Sequence, residues 1–324
     1  MSKIYLSAKL PELGTKLLKE AALEYTVYEK AGLISKKELI ANIVDCEALI
    51  CPLSTQVDRD VIDAAPALKL IANFGAGFNN IDTAYAKEKN IYVTNTPVVS
   101  TNATAELTAG LILALSRRIV EGDHLMHDEG FDGWAPLFFL GHELKNKTLG
   151  IIGMGQIGQA LAQMMRAFGM KILYNQRHPL TSELEEKLHA TYYPQAEVIQ
   201  QADILTLHAP LTEDTRHLLT SKTFDQMKDS ALLINAARGP LIDEAALLQA
   251  LKAKKIAGAA LDVYEFEPEV TEGLKDLPNV ILTPHIGNAS VEARDQMAEI
   301  VAKNAIALFE GKAIKHIVNG LDRA

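Results

Sequence analysis

The segment that most constrains the fold of this chain is an apolar stretch, residues 149–152, that runs directly into a glycine-rich turn. The turn has the pattern Gly-x-Gly-x-x-Gly at Gly153, Gly155 and Gly158. The first glycine permits a tight turn, the second lets a pyrophosphate approach the backbone, and the third lets a helix pack closely on the strand. The phosphates then bind free N–H groups at the helix start, where Gln156 and Ile157 lie and the helix dipole is positive.

A glycine pattern of this kind is often no more than a flexible turn, so its surroundings decide the interpretation. Apolar residues recur at three- and four-residue spacing over residues 159–168, which predicts a helix. Residues 171–175 then predict a second strand. Strand, turn, helix and strand in this order are typical of a dinucleotide-binding domain and predict a nicotinamide cofactor.

The residues before this turn are predicted to form a domain of their own, because a chain length of 324 residues favours two domains. Short apolar runs predict buried parallel strands at residues 4–6, 48–51, 68–72 and 91–93. Helical patterns lie between them at residues 12–22, 35–44, 58–64 and 82–89, with Ser35 and Asp58 as N-caps. This alternation predicts a doubly wound α/β domain that is flavodoxin-like.

The residues after the turn continue the second sheet. Strands are predicted at residues 204–208, 231–235, 259–263 and 280–283, and helices at 221–227 and 243–252. A last helix, residues 292–309, comes too late for that sheet and is expected to return to the first domain. We therefore predict an α/β protein with two doubly wound parallel-sheet domains and a cleft between them. The substrate domain is residues 1–101 plus 289–324, and the Rossmann dinucleotide domain is residues 102–288.

Composition excludes several classes of function. The net charge is −9 and the Lys and Arg residues are scattered, so we expect no nucleic-acid partner. The longest apolar run, residues 107–115, is too short to span a bilayer, and the N-terminus lacks a signal-peptide core. Cys46 and Cys51 have no partners at metal-binding spacing, so we expect no metal and a reducing, cytoplasmic location.

A long helix is predicted from Ala103 to about Met126, and it is apolar on more than one face. Such a helix must be buried, either between the domains or against a second subunit. We predict a homodimer with Leu111 and Leu115 at a two-fold interface. The aromatic-rich segment 130–140, which contains Trp134, closes over a neighbouring protomer or a substrate, or is packed in the ordinary way.

Three short segments at the ends of predicted strands carry chemistry, and they are residues 235–239, 262–268 and 283–287. Ligands of open α/β sheets bind at the carboxyl ends of the strands. Arg238 can bind a carboxylate through two parallel hydrogen bonds. His285 can supply a proton near neutral pH, and Glu267 beside it would stabilise the protonated imidazole.

These segments resemble the D-isomer-specific 2-hydroxyacid dehydrogenase family over essentially the whole chain. The resemblance includes residues 75–82, 95–97, 104–106, the glycine turn and residues 208–212. It also includes the intervals of 29 residues from Arg238 to Glu267 and 18 residues from Glu267 to His285. The branch most similar to this chain is that of the glyoxylate/hydroxypyruvate/2-ketoacid reductases. Many relatives have Asp where this chain has Asn79, but the backbone contacts of that loop need no side chain.

The resemblance implies a mechanism and further site residues. A small 2-oxo acid binds with its carboxylate on the N–H groups of Ala76 and Gly77 and on Arg238, and Ser54 contributes to the substrate pocket. His285, held by Glu267, donates a proton while the nicotinamide delivers hydride. The resemblance places further cofactor contacts at Thr104, Ala209, Pro210, Thr215, Ala236, Ala237, Asp262, His285 and Gly287.

The choice of cofactor follows from the end of the second strand. NAD enzymes carry an acidic residue there that binds the ribose hydroxyls. This chain has Asn175, followed by Gln176 and Arg177. The missing acid and the nearby Arg177 predict NADP(H), with NAD(H) as second choice. The alternative is that Arg177 only faces solvent.

The sequence thus predicts an oxidoreductase that transfers a hydride between NADP(H) and a small 2-oxo acid or D-2-hydroxy acid. One alternative is an NAD(H)-dependent D-2-hydroxyacid dehydrogenase for a longer 2-oxo acid. The other is a nucleotide-sensing regulatory protein of the same fold, similar to the C-terminal binding protein corepressors.

Overall fold

The computed structural model describes residues 3–128 and 130–321. The chain divides into two compact units, Met1–Ser100 with Ala289–Ala324, and Thr101–Asn288. Thr101 was predicted in the first domain, but it lies in the second unit because it begins a helix of that unit. The extreme ends of the predicted first domain, residues 1–2 and 322–324, lie outside the described residues.

The first unit is built on a five-stranded parallel sheet in the order β2-β1-β3-β4-β5. Its strands are β1 (Ile4–Leu6), β2 (Tyr25–Val27), β3 (Ala48–Pro52), β4 (Leu70–Phe74) and β5 (Tyr92–Thr94). The helices between them are α1 (Glu12–Glu20), α2 (Lys36–Ile43), α3 (Arg59–Asp63) and α4 (Thr83–Glu88). The central strands β3 and β4 are buried along nearly their whole length, as expected for a sheet covered on both faces.

The predicted caps of two helices are confirmed. The Ser35 side chain accepts from the N–H of Glu38, whose carboxylate accepts in return from the N–H of Ser35. Asp58 accepts from the N–H of Val61 at 3.2 Å. Strand β2 was not predicted, because its three residues are only partly buried at the edge of the sheet.

The second unit contains a seven-stranded parallel sheet in the order β12-β11-β10-β9-β6-β7-β8. Its strands are β6 (Thr148–Ile152), β7 (Lys171–Asn175), β8 (Ala190–Tyr192), β9 (Ile204–Leu207), β10 (Leu232–Asn235), β11 (Gly258–Leu261) and β12 (Val280–Leu282). Its helices are α5 (Thr101–Ser116), α6 (Ile119–Asp128), α7 (Gln156–Ala167), α8 (Ser182–Leu188), α9 (Gln195–Gln201), α10 (Ser221–Phe224) and α11 (Glu244–Lys252). The prediction of two parallel-sheet α/β domains is therefore confirmed.

The prediction of one continuous helix over residues 103–126 is wrong, because the helix is interrupted between α5 and α6. Arg118 adopts a left-handed φ of 55°, which a continuous α-helix does not allow. The guanidinium of Arg118 pairs with Glu121, and it lies 4.0 Å from the centre of the Phe139 ring. These contacts offset the backbone strain and fix the break.

Leu111 and Leu115 were predicted to lie at the two-fold interface of a homodimer, and the homodimer itself stays a prediction. Both side chains are buried within the second unit, with exposed fractions of 4% and 9%, in a core shared with Leu149, Leu161 and Ile234. Helix α5 is apolar because it packs on α7 and on strands β10 and β11 of its own sheet. These two side chains therefore leave little surface for contact with a second subunit.

The aromatic-rich segment before β6 does not pack in the ordinary way. Trp134 is 84% exposed, and Phe131 and Phe138 stack on each other while remaining largely exposed.

Among the residues that the structure describes, no helix is long and apolar enough to cross a membrane.

The last helix, α12 (Val291–Glu310), belongs to the first unit, as the sequence predicted. It buries Met297, Ala298 and Val301 against strands β1, β3 and β4. A Cβ at Gly14 of α1 would lie 3.1 Å from the Cβ of Ala298, so the glycine permits the close approach of α1 and α12.

Candidate active site

Six neighbouring strands of the second unit deliver the predicted site residues to one edge of the sheet. Arg238, Glu267 and His285 follow β10, β11 and β12, which are adjacent. The loop of Ala209 and Pro210 follows β9, the glycine turn follows β6, and Asn175 ends β7. Because all the strands are parallel, their carboxyl ends meet at this edge. The sheet therefore orders the predicted site from the Arg, Glu and His residues, through the glycine turn, to the predicted ribose position.

Gly153 makes the turn after β6 possible for two reasons. Its φ of +99° is one that side-chain-bearing residues rarely adopt. A Cβ there would also lie 2.5 Å from the backbone of His208 and Ala209. The imidazole of His208 is neutral in this position, because burial lowers the pKa of His208 to about 4.

Gly155 and Gly158 have the properties that a bound dinucleotide requires. A Cβ on Gly155 would meet no atom within 4 Å, so the space above the start of α7 is open. A Cβ on Gly158 would lie 2.5 Å from the carbonyl oxygen of Gly153, so only glycine lets α7 pack on the turn. The first N–H groups of α7, including those of Gln156 and Ile157, have no acceptor within the helix. The turn therefore fits a pyrophosphate.

The residues at the end of β7 leave a cation free at the predicted ribose position. Asn175 donates from its side-chain amide to the carbonyl oxygen of Tyr193 at 2.9 Å, so it ties β7 to the loop after β8. Gln176 donates to the carbonyl oxygen of His178. Arg177 is exposed, and no described residue is a hydrogen-bond or ion-pair partner of its guanidinium.

The loop after β9 is organised by one of its predicted cofactor contacts. The hydroxyl of Thr215 donates to the carbonyl oxygen of Pro210 at 2.7 Å and accepts from the N–H of Thr212 at 2.8 Å. Ala209 is half-buried beside Gly153, and Pro210 is exposed. Thr215 therefore holds the loop, and direct contact of these residues with a cofactor stays a prediction.

The turn that carries Arg238 is fixed by a residue that the sequence analysis did not name as a site residue. Asn235, fully buried at the end of β10, accepts from the N–H of Ala237 at 3.1 Å. Its amide donates to the carbonyl oxygen of Arg238 at 2.9 Å. Ala236, the remaining residue of the turn, is buried. An asparagine that ends an otherwise apolar strand was the signal available in the sequence.

Arg238 is a cation held largely away from water. One of its terminal nitrogens donates to the carbonyl oxygen of Ala237 at 2.6 Å. Burial lowers the pKa of Arg238, and the negative charge of Glu267 partly opposes that effect. A guanidinium remains protonated in proteins, and this one forms no ion pair with a carboxylate of the described residues. It is therefore suited to bind an anionic ligand.

Glu267 and His285 form a pair at the ends of β11 and β12. The Nδ1 atom of His285 lies 2.9 Å from Oε2 of Glu267, and the N–H of Tyr264 donates to Oε1 at 3.0 Å. Burial raises the pKa of Glu267, but the hydrogen bond and charge of His285, the N–H of Tyr264 and the charge of Arg238 together hold that pKa below its usual range. Glu267 is therefore an ionised acceptor that orients the imidazole.

Asp262 fixes the loop that carries His285. It is fully buried, and its carboxylate accepts from the hydroxyl of Thr283 at 2.6 Å and from the N–H groups of Ile286 and Gly287, each at 2.8 Å. A Cβ on Gly287 would lie 3.4 Å from Thr104, so these two predicted cofactor contacts are neighbours. The hydrogen bonds show Asp262 supporting the loop, and its predicted contact with the cofactor stays a prediction.

The first unit carries the predicted substrate-binding residues at its own strand ends. Ser54 follows β3, and Ala76 and Gly77 follow β4; Ser54 and Ala76 are exposed. The side chain of Asn73 donates to the carbonyl oxygen of Gly77 at 2.6 Å, and that of Asn95 donates to the carbonyl oxygen of Ala76 at 2.7 Å.

These two asparagines were not predicted as site residues. Both are buried, Asn73 in the middle of an apolar strand, and a buried amide in such a run was the available signal. They hold the carbonyl oxygens of the loop, and binding of a ligand by the N–H groups of Ala76 and Gly77 stays a prediction.

The site residues of the second unit can together bind a dinucleotide, bind an anion and move a proton. Among the described residues, no group of three His, Cys, Asp or Glu side chains is placed to hold a metal ion.

Comparison with known proteins gives concordant matches. A family model described as "D-isomer specific 2-hydroxyacid dehydrogenase, NAD binding domain" matches residues 109–287. The chain is 53% identical over 319 residues to a protein of Staphylococcus haemolyticus that carries the provisional name 2-hydroxyacid dehydrogenase. The aligned region covers 98% of this chain and 100% of that protein.

Two solved structures extend the similarity. The fold is similar to that of a glyoxylate reductase from Paecilomyes thermophila, with a TM-score of 0.85, 32% identity and coverage of 97% of each chain. It is also similar to an NADPH-dependent glyoxylate/hydroxypyruvate reductase from Sinorhizobium meliloti, which was crystallised with NADP and malonate. That match has a TM-score of 0.83 and 31% identity, and covers 99% of this chain and 98% of the other.

Proposed function

The chain belongs to the D-isomer specific 2-hydroxyacid dehydrogenase family and is an oxidoreductase, and on this basis we propose that it reduces a small 2-oxo acid to the D-2-hydroxy acid with NADPH. The observation that carries the proposal is the grouping of Arg238 with the Glu267–His285 pair on three adjacent strand ends. The glycine turn lies at the same edge of the sheet.

Each of the three residues has one role in the proposed reaction. Arg238 binds the carboxylate of the 2-oxo acid, because its partly buried guanidinium has no carboxylate partner among the described residues. His285 donates a proton from Nε2 to the carbonyl oxygen of the substrate, because Nδ1 is engaged with Glu267. Glu267 stays ionised and stabilises the protonated imidazole. When bound, the nicotinamide cofactor supplies the hydride.

The protein holds the cofactor through its backbone. The N–H groups at the start of α7 bind the pyrophosphate above Gly155, where a Cβ would meet nothing within 4 Å. Donors that are fixed before the reaction need no reorganisation as negative charge develops on the substrate oxygen. The assignment of Ser54, Ala76 and Gly77 to substrate binding stays a prediction, supported by their positions after β3 and β4.

The preference for NADP(H) rests on the end of β7. The 2′-phosphate carries a charge of about −1.5 to −2 at neutral pH. An acidic residue there would repel it, and this chain has Asn175, which is engaged with Tyr193. Arg177 is exposed and has no partner among the described residues, so it is available to the phosphate. The structural relative from Sinorhizobium meliloti was crystallised with NADP, which supports the same choice.

Initial rates of cofactor oxidation test the proposal. The purified protein is mixed with NADPH or NADH and with glyoxylate, hydroxypyruvate or 2-oxo acids of increasing chain length. We expect the highest kcat/KM with NADPH and a short 2-oxo acid. The highest kcat/KM with NADH and a longer 2-oxo acid would favour the first alternative function. Tight NADPH binding without turnover on any 2-oxo acid would favour a nucleotide-sensing regulator.

A further inference from the structure

Two glutamates, Glu244 and Glu265, form hydrogen bonds with each other close to Arg238 and Glu267 in the chain, and neither takes part in the proposed chemistry. Glu244 begins α11, and Glu265 lies between Asp262 and Glu267. The N–H of Glu265 donates to Oε1 of Glu244 at 2.7 Å, and the N–H of Glu244 donates to Oε2 of Glu265 at 3.1 Å. The exchange is reciprocal, so each residue binds the backbone of the other.

The remaining oxygens of the two carboxylates are also bound. The hydroxyl of Thr271 donates to Oε2 of Glu244, and Nε2 of His217 lies 2.5 Å from Oε1 of Glu265. Glu244 is 1% exposed, and its burial without partners would cost several kcal/mol. All four carboxylate oxygens have a partner, which makes the arrangement a built feature rather than an accident of packing.

The two glutamates join the backbone segments that carry the catalytic residues. The segment from Arg238 to Glu244 meets the segment from Tyr264 to Glu267 at very short range. A Cβ on Gly239 would lie 1.8 Å from the carbonyl oxygen of Tyr264, so the two backbones are in contact there. The N–H of Tyr264 in turn donates to Glu267. Loosening either segment therefore changes the position of Glu267 relative to Arg238.

We propose that Glu265, together with Glu244, is a positioning residue that holds the Glu267 loop against the Arg238 turn. This inference rests on the proposed function, because Arg238 and Glu267 are the groups it positions. Glu265 itself touches neither the predicted cofactor turn nor the His285 ring among the contacts that the structure describes. Its effect on the reaction is exerted through the geometry of the two segments.

The test compares Glu265→Ala with Glu265→Gln. The alanine variant loses both side-chain contacts, and displacement of the loop is expected to raise KM for the 2-oxo acid roughly tenfold and to lower kcat. The glutamine variant can accept from Glu244 through its amide oxygen and donate to an unprotonated ring nitrogen of His217. It is expected to restore kcat/KM to within about threefold of the wild type. Glu272→Ala, an exposed glutamate on the same connection, is the matched control.

Two further measurements separate positioning from general destabilisation. The dissociation constant of NADPH, measured by fluorescence titration, is expected to change less than KM for the 2-oxo acid, because the pyrophosphate contacts of the glycine turn on β6 stay in place. A purely structural role would lower the active fraction and hence kcat without raising KM. If Glu265→Ala does not fold, His217→Ala, which removes only the half-exposed partner, replaces it and is expected to raise KM by a few-fold.

If the wild type is active and KM is unchanged in the folded Glu265→Ala variant, this inference is overturned and the proposed function stays intact. The same holds for His217→Ala where that variant replaces Glu265→Ala. A glutamine variant as impaired as the alanine variant would also overturn it. A wild type that reduces no 2-oxo acid would overturn both.

Discussion

His285 and Glu267 meet through one hydrogen bond, in which Nδ1 of the imidazole lies 2.9 Å from Oε2 of the carboxylate. Their loops follow different strands, and each loop has its own support: Asp262 holds the backbone after His285, and the N–H of Tyr264 holds Glu267. No described residue is a hydrogen-bond partner of Nε2 of His285. That nitrogen is therefore available for proton transfer.

Replacing Glu267 by glutamine tests the charge in this pair. The pKa of Glu267 lies below its usual range, so the wild-type carboxylate is ionised throughout the neutral region and favours the protonated imidazole. Reduction needs that proton and is lost as the pH rises. In Glu267→Gln the stabilising charge is absent, so the basic limb of the kcat/KM profile should move to lower pH. A limb at the same pH in both proteins would show that Glu267 only fills space.

Replacing Arg238 by lysine tests the substrate anchor. Lysine keeps the charge but cannot form two parallel hydrogen bonds with a carboxylate. We expect kcat/KM for the 2-oxo acid to fall at least about tenfold, or ~1.4 kcal/mol of transition-state binding. The measurement is steady-state reduction at saturating NADPH, with the affinity for NADPH as control. An unchanged kcat/KM would remove Arg238 from the substrate site.

Replacing Arg177 by alanine tests the cofactor preference. The exposed guanidinium is proposed to pair with the 2′-phosphate, which NADH lacks. KM for NADPH should rise well over tenfold, since an Arg–phosphate pair is charge-assisted and bidentate, while KM for NADH barely changes. Lys222→Ala, an exposed cation on α10, is the control. Equal effects on the two cofactors, or a wild-type preference for NADH, would contradict the assignment.

Replacing Asn73 by alanine tests the loop of the first unit. The variant loses the hydrogen bonds to the carbonyl oxygens of Gly75 and Gly77 and leaves those groups less well satisfied. The free energy of unfolding should fall by about 1–3 kcal/mol. KM for the 2-oxo acid should rise while the affinity for NADPH is retained. Denaturant titration and steady-state kinetics measure the two effects, and a loss of stability with an unchanged KM would separate Asn73 from substrate binding.

Much of the fold was predictable because local patterns and tertiary packing agree. The strand before Gly153, the helix after it and the strand 171–175 all form, with the last at the predicted bounds. The glycines of the turn are each required by a close approach, a positive φ or open space that the pattern itself implies. The strand ends that carry Arg238, Glu267 and His285 could be placed because parallel strands align their carboxyl ends.

The features that were missed are short elements or depend on particular side-chain contacts. Strand β8 and helices α8 and α9 are short, and β8 is a three-residue edge strand whose residues are only partly buried overall. The break at Arg118 depends on Glu121 and Phe139, which no helical periodicity encodes. The apolar faces of α5 suggested a subunit interface, but Leu111 and Leu115 pack within their own unit. The support from Asn73, Asn235 and Glu265 becomes visible only once their partners are known.

The most direct test of the proposed function follows the hydride itself. NADPH that carries deuterium at the transferring position of C4 is incubated with hydroxypyruvate, whose reduction product is chiral, and the wild-type protein. The product is analysed by mass spectrometry and on a chiral column. The account predicts the D-2-hydroxy acid with one deuterium at C2, and almost no product from His285→Asn although that variant still binds NADPH. A product without deuterium, an L-2-hydroxy acid, or near-native turnover by His285→Asn would contradict it.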